Sequence, residues 1–488
     1  MVEEIPAYFS PSASRINNIE DGETLRWCSV SLSEIISTGK RLEASVFDPE
    51  GKRARQLVEN GKYPYQHITG EEGLASAYTC NRFKRIWVAK SDCPIYQPTS
   101  ILDIKPDPDG YISRKTETDI DKLRVHKNQV LLTCSGTIGN VSLVSETLDN
   151  QIFSHDLLRI TCNNEVDAGY LYAYLKSEIG KRIVVTNQYG SVISHIEAQH
   201  LDSIPIPKVP DVLKEKISRL VLESFTLRDE SNKLWEEATK SLYHELKLID
   251  YFEFQKAVLP ANLSFTVKLS ELNNRCDCSY HIPIVKKIIE HLEKHAEEVT
   301  TVGDERISSA VILPGRFKRT YVSEGHGRVF IGGKQITELD PSNKKYLSVT
   351  QHDTRMKKEL SLSENMILIT RSGTIGKITL VPKHWDNWVA SEHLIRIVPI
   401  SKDIAGYLAV YLSTPYGKEL VKRFTYGAVV DEIDASHVSN VAVPLLKNKD
   451  AQKRINDLVL SANHKRYEAY VLEKQALNIL QSEVFDTY

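Results

Sequence analysis

Two five-residue segments, Ser135-Gly136-Thr137-Ile138-Gly139 and Ser372-Gly373-Thr374-Ile375-Gly376, are identical and lie 237 positions apart. Other segments keep that offset. Gly169-Tyr170-Leu171 with Tyr174-Leu175 and Gly180-Lys181 returns as Gly406-Tyr407-Leu408 with Tyr411-Leu412 and Gly417-Lys418. Tyr189-Gly190, Ile196, Ala198 and His200 return as Tyr426-Gly427, Ile433, Ala435 and His437. Upstream the offset shortens to 234, pairing Arg82-Phe83-Lys84-Arg85 with Arg316-Phe317-Lys318-Arg319 and Arg41 with Arg275. The second copy therefore carries a small insertion, which costs little loop entropy. Repeats of about 20 to 50 residues mark solenoids and propellers, but this unit is domain-sized. Duplication with pseudo-two-fold symmetry is the expected architecture.

Each half of the 488-residue chain is long enough to bury its own core. Seven cysteines form no repeated framework, and Cys276-Asp277-Cys278 lacks the second pair a zinc site needs. With no secretory leader and no long apolar run, the expectation is a reducing cytoplasm and no membrane. The net charge of −2 is not that of a typical nucleic-acid binder. Local clusters run against that average: Lys52-Arg53-Ala54-Arg55, Arg82 to Arg85, Arg316 to Arg319, Lys344-Lys345, and Arg355 with Lys357-Lys358. Any single cluster reads most simply as a solvated surface. An Arg-Phe-Lys-Arg present in both copies is harder to dismiss.

Each copy ends in a long segment free of proline and glycine. In the first, Leu213, Ile217, Leu220, Leu227, Leu234 and Ala238 step by threes and fours, with Ser224 and Ser231 filling gaps. In the second, Ile455, Leu458, Ala462, Ala469, Leu472, Ala476 and Ile479 do the same, with Lys465 at one position. Both patterns predict coiled-coil seams, on helices reaching roughly 50 to 60 Å. Pairing the two antiparallel within the chain is more economical than a generic dimerisation coil. The globular parts read as mixed α/β. Val130–Thr133 and Met366–Ile369 predict strands entering the Gly-Thr-Ile-Gly turn. Gly169 to Arg182 and Gly406 to Arg423 predict short amphipathic helices, and Ile204 to Pro207 and Val441 to Pro444 closing strands.

Little catalytic chemistry is legible. Ser-Gly-Thr-Ile-Gly lacks the lysine and spacing of a nucleotide loop. A hairpin turn needing positive φ explains its glycines, with a backbone contact to DNA phosphate as the alternative. No Asn-Pro-Pro-Tyr or Asp-Pro-Pro-Tyr of a base methyltransferase occurs, and Gly325-His326-Gly327 does not continue into a cofactor loop. His155-Asp156 and Glu392-His393 occupy equivalent positions with the chemistry reversed, which a shared catalytic role would not tolerate. His200 and His437 are expected to make a structural hydrogen bond. No metal site and no catalytic residue is assigned.

Two α/β domains, each with a Gly-Thr-Ile-Gly hairpin and a proline-marked closing strand before a long helix, resemble the specificity subunit of type I restriction-modification systems. The resemblance implies a non-catalytic, sequence-specific DNA-binding subunit with two target recognition domains joined by an antiparallel coiled coil. On it, residues 1–210 form the first recognition domain with its N-terminal extension and 211–255 the central helix. Residues 256–446 form the second recognition domain, and 447–488 the distal helix. Arg41-Leu42-Glu43 and Arg275-Cys276-Asp277 look like the family's domain-opening segment.

The implied partners are double-stranded DNA, two methyltransferase subunits and motor-nuclease subunits. S-adenosylmethionine is expected on the methyltransferase and no cofactor on this chain. The DNA-binding candidates are Arg82, Lys84, Arg85, Gln188, Tyr189, Arg316, Lys318, Arg319, Lys344, Lys345 and Tyr426. The tyrosine loops either touch DNA or buttress a neighbour. Two other readings stay open: the specificity chain of a fused methyltransferase-nuclease, and a structural adaptor that binds no DNA.

Overall fold

The computed structural model describes residues 16–18, 24–26, 29–37, 40–190, 194–259, 264–272, 274–341, 343–427 and 430–485. Two compact units divide the chain. The first comprises residues 1–101, 108–222 and 474–488, the second 102–107 and 223–473. Each long helix thus contributes to both units, and a short segment of the first copy, 102–107, belongs to the second unit. There the Ile104 amide donates to the Thr337 carbonyl at 2.9 Å, and the Asn232 amide group to the Ile104 carbonyl at 2.8 Å.

The first unit holds two four-stranded sheets. One runs Ala75–Tyr78, Leu157–Cys162, Gln129–Thr133, Val141–Leu143, antiparallel throughout. The other runs Ile152–Phe153, Pro94–Tyr96, Gly110–Ile112, Trp87–Val88, with its first pair parallel. The second unit repeats both orders. Ser308–Ile312, Leu394–Pro399, Ile367–Thr370 and Ile378–Leu380 form one sheet, and Val389–Ala390, Gly327–Ile331, Lys345–Ser348 and Tyr321–Val322 the other. The central strands Gln129–Thr133 and Ile367–Thr370 are wholly buried, as continuous apolar runs require.

The expected closing strands are present, Pro205–Pro207 pairing with Tyr65–His67 and Ala442–Leu445 with Glu298–Thr301. The predicted amphipathic segments are each two helices rather than one. Glu165–Lys176 precedes Glu178–Thr186, and Lys402–Ser413 precedes Pro415–Lys422. Ser177 and Thr414 break them by capping the second helix of each pair with a side-chain oxygen. The leading helices are buried nearly all round, so their apolar residues cover more than one face.

The repeated Gly-Tyr-Leu motif holds this scaffold together. Tyr170 donates to the Pro207 carbonyl at 2.9 Å and Tyr174 to Pro205 at 2.5 Å; Tyr407 and Tyr411 do the same to Pro444 and Ala442 at 2.7 and 3.0 Å. Gly169 and Gly406 let these helices approach the long ones. A Cβ at Gly169 would stand 2.2 Å from Ser218 Oγ, and one at Gly406 2.5 Å from the Asn456 carbonyl oxygen.

The long helices span Asp211–Glu245 and Lys449–Leu480. Within the second unit they pair antiparallel. Ser224 donates to the Ala469 carbonyl at 2.8 Å, Arg466 to Ser231 Oγ at 3.0 Å, and Arg454 to Ser241 Oγ at 3.5 Å, so one number falls as the other rises. In the first unit Lys216 meets Glu483 at 2.8 Å. The buried line is displaced from the predicted one. Leu213, Ile217, Ala238, Ile455, Ala462 and Ala476 are buried, whereas Leu220, Leu227, Leu234, Leu458, Leu472 and Ile479 are only half-buried. Beside those positions and Lys465, Val221, Trp235, Val459, Arg466, Glu473 and Leu480 take the buried places. Each helix faces both its partner helix and a globular layer, so its buried stripe is wider than a two-stranded seam. Part of that stripe is polar: Arg228 reaches Glu473 at 2.8 Å, with only 15% and 3% of the two side chains exposed.

Candidate nucleic-acid interface

The repeated Ser-Gly-Thr-Ile-Gly segments are tight turns between antiparallel strands. Thr133 Oγ1 donates to the Thr137 carbonyl and Thr370 Oγ1 to the Thr374 carbonyl, both at 2.6 Å. Gly136 and Gly373 have φ near 70°, which their glycine identity permits. The turn tips carry exposed threonines, Thr137 and Thr374.

Against each turn lies the tyrosine loop, through bridges from Ser135 and Tyr189 to His195 and from Ser372 and Tyr426 to Glu432. The domain-opening arginines clamp that loop. Arg275 pairs with Asp277 at 2.7 Å and donates to the carbonyls of Phe424 and Thr425 at 3.3 and 2.9 Å. Arg41 pairs with Glu43 and donates to the Gln188 carbonyl. Gln188 and Tyr189 are half-buried; Tyr189 donates to the Glu197 carboxylate, which pushes its phenol up to about 12. Tyr426 is 41% exposed and lies against the His437 ring at 5.4 Å.

His200 and His437 make the structural bond expected of them. The amides of Glu197 and Asp434 donate to their Nδ1 atoms at 2.8 and 3.3 Å, closing capping boxes. Burial holds the His437 imidazole below the usual histidine range, with Asp434 opposing it. Arg159 and Arg396, also 237 positions apart, were not singled out from sequence. Both are fully buried, and their terminal nitrogens donate to carbonyls: Leu123, Phe153, Ser154 and Leu157 for Arg159, and Leu360, Ala390, Ser391 and Leu394 for Arg396. Desolvation lowers the Arg396 guanidinium to about 10.

The basic clusters do not behave alike in the two units. In the first, Arg82 and Lys84 are exposed, and Arg85 is half-buried over the rings of Phe83 and Trp87 at 5.6 and 6.0 Å. In the second, Arg316 is paired with Glu432 at 3.0 Å and Arg319 with Glu392 at 2.5 Å, leaving Lys318 exposed. Glu432 also holds Arg371. At the places of Glu392 and Glu432 the first unit has His155 and His195. Lys344 is largely covered, paired with Asp340 and lying 5.4 Å from the Trp388 ring. Lys345 is exposed over Tyr321 at 5.3 Å.

Beside the second turn opens a cavity of about 640 Å³ lined by Arg319, Lys334, Lys345, Lys377, Tyr321 and Phe330, among others, with no carboxylate among its lining residues. On the turn's other side a second cavity of about 630 Å³ includes Arg275, Lys422 and Tyr426. Among the described residues no cluster of histidine, cysteine, aspartate or glutamate is arranged to hold a metal, and no helix is long and apolar enough to cross a membrane.

Residues 49–233 and 323–461 match the family model described as the type I restriction modification DNA specificity domain. No curated protein matches the chain. Among solved structures, the chain is similar to the type I restriction-modification S subunit from M. genitalium, at 14% identity and a TM-score of 0.36, over 88% of this chain and 97% of that one. It is also similar to the HsdS subunit from Thermoanaerobacter tengcongensis, at 14% identity and a TM-score of 0.25, over 86% of this chain and 100% of that one.

Proposed function

Because the chain belongs to the type I restriction modification DNA specificity domain family, we propose that its two domains each read one half of a bipartite DNA site. The observation carrying this reading is a division of labour within the repeat. Residues kept in both copies are largely used up inside the scaffold: the tyrosines on closing-strand carbonyls, the histidines in capping boxes, the arginines on loop carbonyls. Residues beside the turns differ between copies, as with His155 against Glu392 and Asn140 against Lys377. Two readers of different half-sites need that combination, since phosphate contacts fix register while a few side chains read base edges.

The paired long helices then set the gap between half-sites and dock methyltransferase subunits, two per chain, with motor-nuclease subunits completing the restriction complex. The chain is a non-catalytic subunit in this scheme. The methyl donor, S-adenosylmethionine, is bound by the methyltransferase. The test is reconstitution with a type I methyltransferase subunit, followed by methyl transfer to DNA. Methylation that needs both proteins, at a split site, is the expected outcome. Methylation at the same site without this chain would refute the reading.

A further inference from the structure

The two domains share a scaffold but carry their free cations at different places on it. Strand register makes the comparison position by position. Phe330 pairs with Val389 and Lys345, and Ile95 pairs with Ile152 and Gly110, so Ile95 stands where Phe330 does and Gly110 where Lys345 does. Counting on from Ile95 and Phe330, Thr99 stands at the place of Lys334. Asn140 stands at the place of Lys377, because each amide donates to the threonine hydroxyl of its turn, at 3.0 and 2.9 Å.

Three positions that are lysine in the second unit are therefore threonine, glycine and asparagine in the first. Gly110 is moreover covered by Trp87, whose ring would stand 2.8 Å from a Cβ there. The Arg-Phe-Lys-Arg segment shows the reverse. In the second unit Arg319 is paired with buried Glu392, and Arg316, itself largely exposed, shares Glu432 with Arg371; in the first, histidines stand at the places of these carboxylates, and among the described residues no ion pair holds Arg82, Lys84 or Arg85. The segment leading into the edge strand thus carries three cations outside ion pairs in the first unit and only Lys318 in the second, where lysines are added on one inner strand, in the loop after the other and at the turn.

We propose that the two domains hold DNA phosphates with non-equivalent residues: Arg82, Lys84 and Arg85 in the first, and Lys334, Lys345 and Lys377 in the second. This rests on the DNA-reading function above and specifies how the two readings differ. A phosphate track fixes how a domain is oriented on the duplex. The two domains therefore present different parts of one scaffold to the bases.

The test is the salt dependence of binding by the complex of this chain with its methyltransferase, on duplex DNA carrying both half-sites. Each lost phosphate contact reduces the steepness of log K against log salt by roughly 0.9. K334Q/K345Q/K377Q and R82Q/K84Q/R85Q are each expected to reduce it by roughly two to three such contacts, and R316Q/R319Q by little. E392Q/E432Q releases Arg316 and Arg319, and with them Arg371, and is expected to steepen the dependence, a gain that misfolding cannot mimic. Wild-type binding with an unchanged slope in the lysine variant, or an equal loss in R316Q/R319Q, overturns this inference and leaves the parent reading standing. A wild-type complex that binds no DNA overturns both.

Discussion

Replacing Gly406 by alanine sets two opposed effects against each other. In a helix interior alanine is favoured over glycine by about 1 kcal/mol. Against this, the new Cβ would lie 2.5 Å from the Asn456 carbonyl oxygen, 3.2 Å from its carbon and 3.1 Å from Val459 Cβ. The obstacle is helix backbone, so relief requires the two helices to part. Their separation stretches the bonds that Asn456 Oδ1 accepts from the amides of Gly406 and Tyr407 at 2.9 and 3.2 Å. Overpacking of this kind costs about 1–3 kcal/mol, and weakening two buried hydrogen bonds adds about 1 kcal/mol.

The clash wins, and G406A is expected to destabilise the second unit by about 2 kcal/mol net. Gly169 offers a contrast, because its nearest obstacle is the Ser218 hydroxyl. S218G should recover part of the loss in G169A, whereas no side-chain deletion at Asn456 should rescue G406A. Urea unfolding read by hydrogen exchange on peptides from 402–422 measures the second-unit effect. A G406A protein as stable as wild type, or more stable, would refute the close-packing argument.

Further outcomes follow from the same contacts. Y407F and Y170F each leave a buried proline carbonyl without its donor, and each should cost about 1–3 kcal/mol in urea unfolding. R396L strips the donors from four carbonyls and should cost more than either tyrosine change, measured the same way. The His437 pKa lies below its ordinary value, so the unfolded chain takes up the proton first. Its contribution is complete above the ordinary histidine pKa and is lost as pH falls through that value toward the native one. H437Q should flatten that part of the stability–pH curve.

Much of the fold was legible because the repeat marks what both domains need. The turn glycines, the capping histidines and the Gly-Tyr-Leu helices all keep one offset and all make internal contacts. The same logic shows what was hidden. Arg159 and Arg396 share the 237 offset, yet arginine reads as surface, and only the structure places them among carbonyls in the core. The clamps on Arg316 and Arg319 come from Glu432 and Glu392, far away in sequence, so two identical Arg-Phe-Lys-Arg strings conceal different ion pairing. Lys334 and Lys377 sit in ordinary loops, and only strand register brings them to one groove with Lys345. The helix seam was displaced for a related reason. A three-four pattern locates a stripe, but its centre depends on what covers the helix on each side.

The central claim is that one chain reads two separated half-sites. It is tested most directly by sequencing methylated bases in DNA from cells that express this chain with its methyltransferase. The account predicts a single motif of two specified parts at a constant gap, with variants at Arg82, Lys84 and Arg85 or at Lys334, Lys345 and Lys377 weakening methylation at that motif. A continuous motif with no gap, or the same methylation in cells lacking the chain, would contradict it.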